Sequence, residues 1–337
     1  NYSYSKHNQN SYYGSDYYVA NQDIFFTQFT LSKKYNKHDF LYGLSIKNNL
    51  YDDNTIATEK VVDGDIKNNA SNQFIPGLLV QDQFKPSDKI SLVGGLRLDH
   101  FKDHGLIFAP NFHIKYNPGQ WLAFRLNVGT GFRLVNLFTE DHAFVTGQRE
   151  VKIVEELQPE KSKSLILNTN YIYTGFNGSG NFDIDLFYTY FSNKIIPNYD
   201  IQKYIIYQNS EGYSYSKGVS GAWNHSFLNG IAFTLNFNHQ VVKYTENNNN
   251  IKTMLDMEHS PRWTAGLNIK FPINNNWSIN TSSNYVGVMQ LPQVFDMLNN
   301  GQISEISRPR KSKPFSLHNL NINGKLSNKN EVYFGIL

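Results

Sequence analysis

Met254, Met257 and His259 fall within the short segment MLDMEH, residues 254–259, and put two thioethers and an imidazole within reach of one another. Soft donors of this kind suit a metal such as copper(I). Only four methionines occur in the whole chain, which makes the pair conspicuous. Thioethers also serve as adaptable packing beneath a loop, and packing is the reading taken, with no metal site expected and these three as its only candidates. A second constellation is NFDIDLFYTYF, where Asp183 and Asp185 lie two residues apart. On a strand that spacing places both carboxylates on one face, where they can do acid–base work or hydrogen-bond a polar neighbour. A third is GTGFRLVNLFTEDHAFVTGQREVKIVEELQPEKSKS, residues 129–164, which gathers Arg133, Glu140, Asp141, Phe144, Arg149, Glu155, Glu156 and Glu160. These side chains can recognise a ligand or partner, or simply solvate a loop. A nucleophile elbow, a phosphate loop and a His-Glu-x-x-His helix are all missing. We therefore expect no enzyme and no cofactor.

The elements that carry these residues alternate with a period of two. In WLAFRLNVG, Phe124 and Leu126 share a face with Leu122 and Val128, while Arg125 and Asn127 point the other way. The same partition sets Leu186 against Asp183 and Asp185, Leu235 against Asn236, and Leu267 against Asn268. About fourteen to fifteen such segments can be counted, many of ten residues or more, long for a soluble sandwich. Tight polar links such as NPGQ (117–120) and FNGSGN (176–181) join some of them. Excursions of weak periodicity near 52–72, 132–161, 246–260 and 290–312 join others. Tyr51, Asn54, Tyr199, Tyr204 and Phe295 sit in or beside such stretches and offer rings and amides to a ligand.

Short turns alternating with long loops predict an all-β antiparallel transmembrane barrel whose apolar residues face lipid. Arg125, Asp183, Asp185, Asn236 and Asn268 are then lumen-facing. Trp121, Trp263, Trp277, Tyr116, Tyr190 and Tyr285 would form aromatic girdles. A soluble sandwich or propeller also alternates, but a polar face of Asn, Thr, Ser and Gly favours a lumen. The 337 residues are read as part of one barrel domain. With no cysteine, disulfide frameworks and thiolate metal sites are excluded. A formal charge of +3 without a basic stripe argues against nucleic acid. Beginning at Asn1 and stopping at YFGIL within a strand-like pattern, the sequence is expected to be a segment of a longer, processed protein.

Taken in order, GTGFR, VNLFTED and ELQPEKS resemble the TonB-dependent outer-membrane receptors of bacteria, the Bacteroidetes type in particular. FIPGLLVQDQFKPSDKISLVGGLRLDHF (74–101), VGVMQLP (286–292) and VYFGI (332–336) are similar to other strands of that group, so the resemblance covers nearly the whole chain. It implies a 22-stranded barrel in the outer membrane, closed by an amino-terminal plug. The plug, its TonB-contacting box, several early strands and the last strand are expected outside this sequence. It further implies uptake of a scarce ligand, whether siderophore, metal complex, vitamin, glycan or peptide, with energy from the TonB complex. Outer-membrane lipid and a surface lipoprotein are the other partners implied. One alternative is a receptor-like barrel that docks surface lipoproteins or a secretion assembly, and another is a passive porin without a plug. Residues 134–155 are expected to form an extracellular loop. Arg133 is expected to turn into the lumen toward an acidic partner on an internal domain or another strand.

Overall fold

The computed structural model describes residues 1–13, 16–55, 58–134, 150–153, 157–198, 204–248, 251–297, 303–326 and 330–336. The wall is built from β1 (Tyr2–Tyr13), β2 (Asp16–Tyr35), β3 (His38–Asp53), β6 (Ser71–Ser87), β7 (Ile90–Phe101), β8 (Gly105–Gly119) and β9 (Leu122–Arg133). It continues through β11 (Glu160–Gly175), β12 (Gly178–Ser192), β15 (Tyr213–Phe227), β16 (Ala232–Asn248), β18 (Trp263–Pro272), β19 (Trp277–Val286), β22 (Phe315–Lys325) and β23 (Glu331–Ile336). The intervening numbers belong to short strands in the connections: β4 (Glu59–Val62), β5 (Asp65–Asn68), β10 (Glu150–Ile153), β13 (Ile195–Asn198), β14 (Tyr204–Asn209), β17 (Ile251–Asp256), β20 (Phe295–Met297) and β21 (Ile303–Ser307).

Each wall strand pairs antiparallel with the next wall strand in the chain. All but β23 run from 10 to 20 residues, enough for the 9–11 that a tilted strand needs to cross a bilayer. The connections fall into two classes by end. At one end they are tight, as at Asn36–Lys37, Phe176–Asn177 and 228–231. Phe176 and Asn177 both have positive φ, 53° and 57°, which makes a two-residue turn matched to strand twist. At the other end stand the excursions 54–70, 134–159, 193–212, 249–262 and 287–314, together with one three-residue turn, 102–104. The excursion at 193–212 is additional to the four expected ones. It folds back as the β13–β14 hairpin, and β14 pairs in parallel with β10 of the preceding excursion.

The two faces of the wall differ as alternation requires. Leu126, Leu167, Leu186 and Val219 are consecutive cross-strand partners on the outward face, where Leu186 remains 52% exposed. Aromatic belts bracket that row. Toward the turns, Phe182 stacks on Trp223 at 5.4 Å, and toward the loops, Tyr190 stacks on Tyr213 at 5.6 Å. Leu186 is midway between them, whereas Leu235 pairs with Trp223 and lies level with the turn-side belt. Buried apolar clusters occur at the loop end, where Tyr18, Ala20 and Tyr51 form one and Ile75, Phe101 and Ile107 another. A one-layer wall cannot bury its own faces, so its apolar surface requires lipid.

A candidate ligand site on the lumen face

The inward face near the loop end contains a hollow of about 390 Å³, assembled from β2, β3, β6, β7 and β9. Its lining is polar on the walls and apolar at the top. Gln22, Lys47, Asn49 and Gln73 supply amides and an ammonium, and Phe101, Phe132 and Leu134 close over them. Arg97 and Asp99, two apart on β7, make a bidentate pair: Arg97 Nε donates to Asp99 Oδ2 at 2.7 Å and Nη2 to Oδ1 at 3.2 Å. Asp99 is fully buried while Arg97 is exposed, so the guanidinium is anchored with its open side toward the hollow. Gly77 makes room for this pair, because a Cβ there would displace Asp99 Oδ1 and Ser45 Oγ. Lys47 has no ion-pair partner among the described residues. Arg97 is balanced by Asp99 and Arg133 by Glu160 beside the hollow, so Lys47 leaves the lining with one uncompensated positive charge, which favours an anion.

Arg133 lies at the upper edge of the hollow and has its acidic partner on the neighbouring strand. Its Nε donates to Glu160 Oε2 at 2.9 Å. The other carboxylate oxygen of Glu160, which is buried, accepts the Ile195 N–H at 2.9 Å. Glu160 thereby ties β9 and β11 to the start of the β13–β14 hairpin. Lys194 sits beside this knot, and burial pushes its ammonium pKa below the ordinary lysine value, against the pull of Glu160. Asn209 fastens the same region from the far side, donating to the carbonyls of Gln158 (3.0 Å) and Asn193 (2.7 Å).

Lower on the inward face, Asn168 joins residues that sequence reading could only place on the same side. It accepts from Arg125 Nη1 at 2.6 Å and donates to both Asp183 and Asp185 at 2.8 Å. Asp183 also accepts from Asn170 at 2.8 Å. The two carboxylates are held by amides within a polar ladder along the wall. Asn236 pairs with Gly266, and Asn268 with Thr234 across β16 and β18, where Asn268 lines a separate shallow hollow with Lys270 and Asn280.

Glu140, Asp141, Phe144 and Arg149 lie outside the described residues, as do Glu155, Glu156 and Tyr199. Met254 is on β17 opposite Thr245. The Met257 N–H donates to the Val242 carbonyl at 2.9 Å and the His259 N–H to the Gln290 carbonyl at 2.8 Å. Among the described residues no group of three His, Cys, Asp or Glu is arranged to hold a metal. Tyr51 is a wall residue rather than a loop aromatic: it is buried, bonded to the Tyr18 hydroxyl at 2.9 Å, and donates to Asp53 at 2.6 Å. Sequence reading missed Lys47, Arg97, Asp99 and Asn168. The signal for two of them was present in LRLDHF, where charges alternate with Leu96 and Leu98.

The family model described as TonB dependent receptor-like, beta-barrel, matches residues 1–337. No curated protein matches the chain. Among solved structures, a variant of the ferric enterobactin receptor of Pseudomonas aeruginosa in complex with enterobactin superposes with a TM-score of 0.75, at 13% identity, over 99% of this chain and 53% of that one. The siderophore receptor PirA of Acinetobacter baumannii gives 0.68 at 13% identity, over 99% and 54%. The copper transporter OprC gives 0.68 at 12%, also over 99% and 54%. At such identities the likeness is one of fold, and this chain spans about half the length of those it matches.

Proposed function

We propose that this chain, which belongs to the TonB-dependent receptor-like β-barrel family, forms wall strands of a transporter that takes up a scarce ligand at the cell surface. Barrels of this family are outer-membrane proteins of Gram-negative bacteria, and the outward row of Leu126, Leu167, Leu186 and Val219 accordingly faces lipid. The loop end is the extracellular end and the tight turns are periplasmic, as in outer-membrane barrels generally. Passage is driven by the TonB complex acting through a plug domain, and involves binding and gating with no bond broken. Within the family we assign the chain to the Bacteroidetes type, on the GTGFR, VNLFTED and ELQPEKS order.

The observation that carries this reading is the lumen-side hollow below the loops, where Lys47 and the anchored Arg97 face a cavity ringed by amides. Such a site suits an anionic ligand such as a ferric chelate, the class named for two of the similar structures. Arg133, at the upper edge of the hollow, is the first contact we assign, and Glu140, Asp141, Phe144 and Arg149 of the loop sequence are further candidates for the ligand or a partner. In iron-limited cells carrying the full-length receptor, labelled ferric enterobactin should accumulate only when TonB is present. Lys47→Glu should weaken chelate binding on the order of tenfold. Uptake of the chelate that persists without TonB would reject the transporter reading.

A second reading, a barrel that docks a surface lipoprotein, is favoured by two small hairpins. Val61 and Ile66 on β4–β5, and Ile306 on β21, are 69%, 69% and 81% exposed, and exposed apolar side chains on projecting hairpins suit a protein partner. A lipoprotein that co-purifies with the full-length receptor regardless of ligand would select this reading.

A further inference from the structure

The turn end of the wall contains a second hollow, of about 900 Å³, formed by β2, β3, β6, β7, β8 and the links between them. Its lining presents the ammonium groups of five lysines, Lys34, Lys37, Lys85, Lys89 and Lys115, beside two carboxylates, Asp39 and Asp88. All five lysines are exposed, and none forms an ion pair among the described residues. Asp39 already accepts the Ser32 hydroxyl at 3.2 Å. The turns that carry the lysines are tied to one another. The Lys85 N–H donates to the Lys37 carbonyl and the Asn117 N–H to the Lys89 carbonyl, both at 2.8 Å, and Lys37 Nζ donates to the Pro86 carbonyl at 2.6 Å. Parity places the cluster in the lumen. Lys34 is the cross-strand partner of Asp39, and Lys115 that of Ser91. Asp39 shares the face of Lys47 on β3, and Ser91 that of Arg97 on β7, so the bilayer lies on the opposite side.

The two hollows lie on one strip of wall. Arg97 of the upper and Ser91 of the lower are six residues apart on β7, about 20 Å at ~3.4 Å per residue. Between them the inward residues are Gly43 and Leu41 on β3, Leu79 and Gln81 on β6, and Gly95 and Val93 on β7. None of these is charged. An anion leaving the upper hollow along these strands meets no carboxylate that would repel it and no cation that would hold it until the turn end. Passage needs sites that are favourable to enter yet release their occupant to the next, and clustered charge at a mouth raises the local concentration of the opposite sign. We propose that the lower hollow is a second anion-binding site, at the periplasmic mouth, which receives the anionic ligand from the lumen before its release. The orientation and the charge of the ligand rest on the reading under Proposed function.

Two measurements on the full-length receptor test this. The first titrates the purified Lys47→Glu protein in detergent with pyranine, a trisulfonate dye, and reads its fluorescence anisotropy, so that the upper hollow is already impaired. The dye should bind stoichiometrically, and Lys34→Gln, Lys89→Gln and Lys115→Gln together should weaken it about tenfold. Undiminished binding in that variant would overturn the site. The second places the same three changes in the otherwise native receptor in iron-limited cells. Labelled ferric enterobactin should bind the surface of energy-depleted cells as before but accumulate about fivefold more slowly, and arginine at the three positions should restore the rate. Accumulation at the native rate by the glutamine variant would overturn the hand-off. Entry of vancomycin through that variant would overturn it too, since the lysines would then be seating the plug. If the native receptor accumulates no ferric enterobactin while the dye binds as expected, the mouth site stands and the loop-end reading fails.

Discussion

Leu186 and Asp185 are adjacent in sequence yet occupy opposite surroundings, and the rows they head are stabilised in different ways. The outward row of Leu126, Leu167, Leu186 and Val219 contains no polar side chain and needs none, because lipid covers it whatever its detailed packing. The inward row of Arg125, Asn168 and Asp185 is joined by individual bonds of 2.6–2.8 Å, so it depends on which atom meets which. One face is therefore tolerant in shape but intolerant of charge. The other accepts charge but requires register.

The largest effect expected from this contrast is at the middle of the wall. Leu186→Arg in the full-length protein should cost ~2–4 kcal/mol in folding titrations into lipid vesicles, whereas Ser220→Arg, opposite Asp185 on the lumen face, should cost less than ~1 kcal/mol. Equal penalties would break the assignment of faces. Next in size is Glu160→Ala. It leaves the Ile195 N–H without its acceptor and takes the Glu160 carboxylate away from Arg133, a loss of about 1–3 kcal/mol. Hydrogen exchange should quicken over residues 195–198 and 205–208 while the lower wall is unchanged. If exchange instead rises evenly along β11 and β12, Glu160 is not a local tether. The smallest effect is at Asn168→Leu, which removes amide donors from Asp183 and Asp185 on a half-exposed surface and should cost ~1 kcal/mol. A further Asp183→Asn change should recover part of it by relieving like-charge contact. No recovery would mean that Asn168 acts through packing.

Alternation, turn chemistry and the division of the wall into two faces were legible without coordinates. Phe124 and Leu126 against Arg125, or Leu235 against Asn236, follow from a side-chain period of two that any single strand expresses. The tight link at Phe176–Asn177 was likewise visible in FNGSGN, because turn preferences are local. The ordered set GTGFR, VNLFTED and ELQPEKS pointed to the family that the whole-chain match then showed.

The tertiary structure alone decided which inward residues meet. Arg125, Asn168 and Asp185 come from three strands, and a slip of one residue in either pairing would separate them. The hollow draws Gln22, Lys47, Gln73, Arg97 and Arg133 from five strands spread over more than a hundred residues, and no local pattern marks Lys47 as facing Arg97. The parallel pairing of β10 with β14 joins the excursion at 134–159 to the one at 193–212, which was not among the four expected from the sequence. A strand's faces are properties of its own backbone and can be read from its residues. Register and the convergence of distant strands are set by the mutual fit of many segments, so the polar ladder and the hollow existed only once the wall had formed.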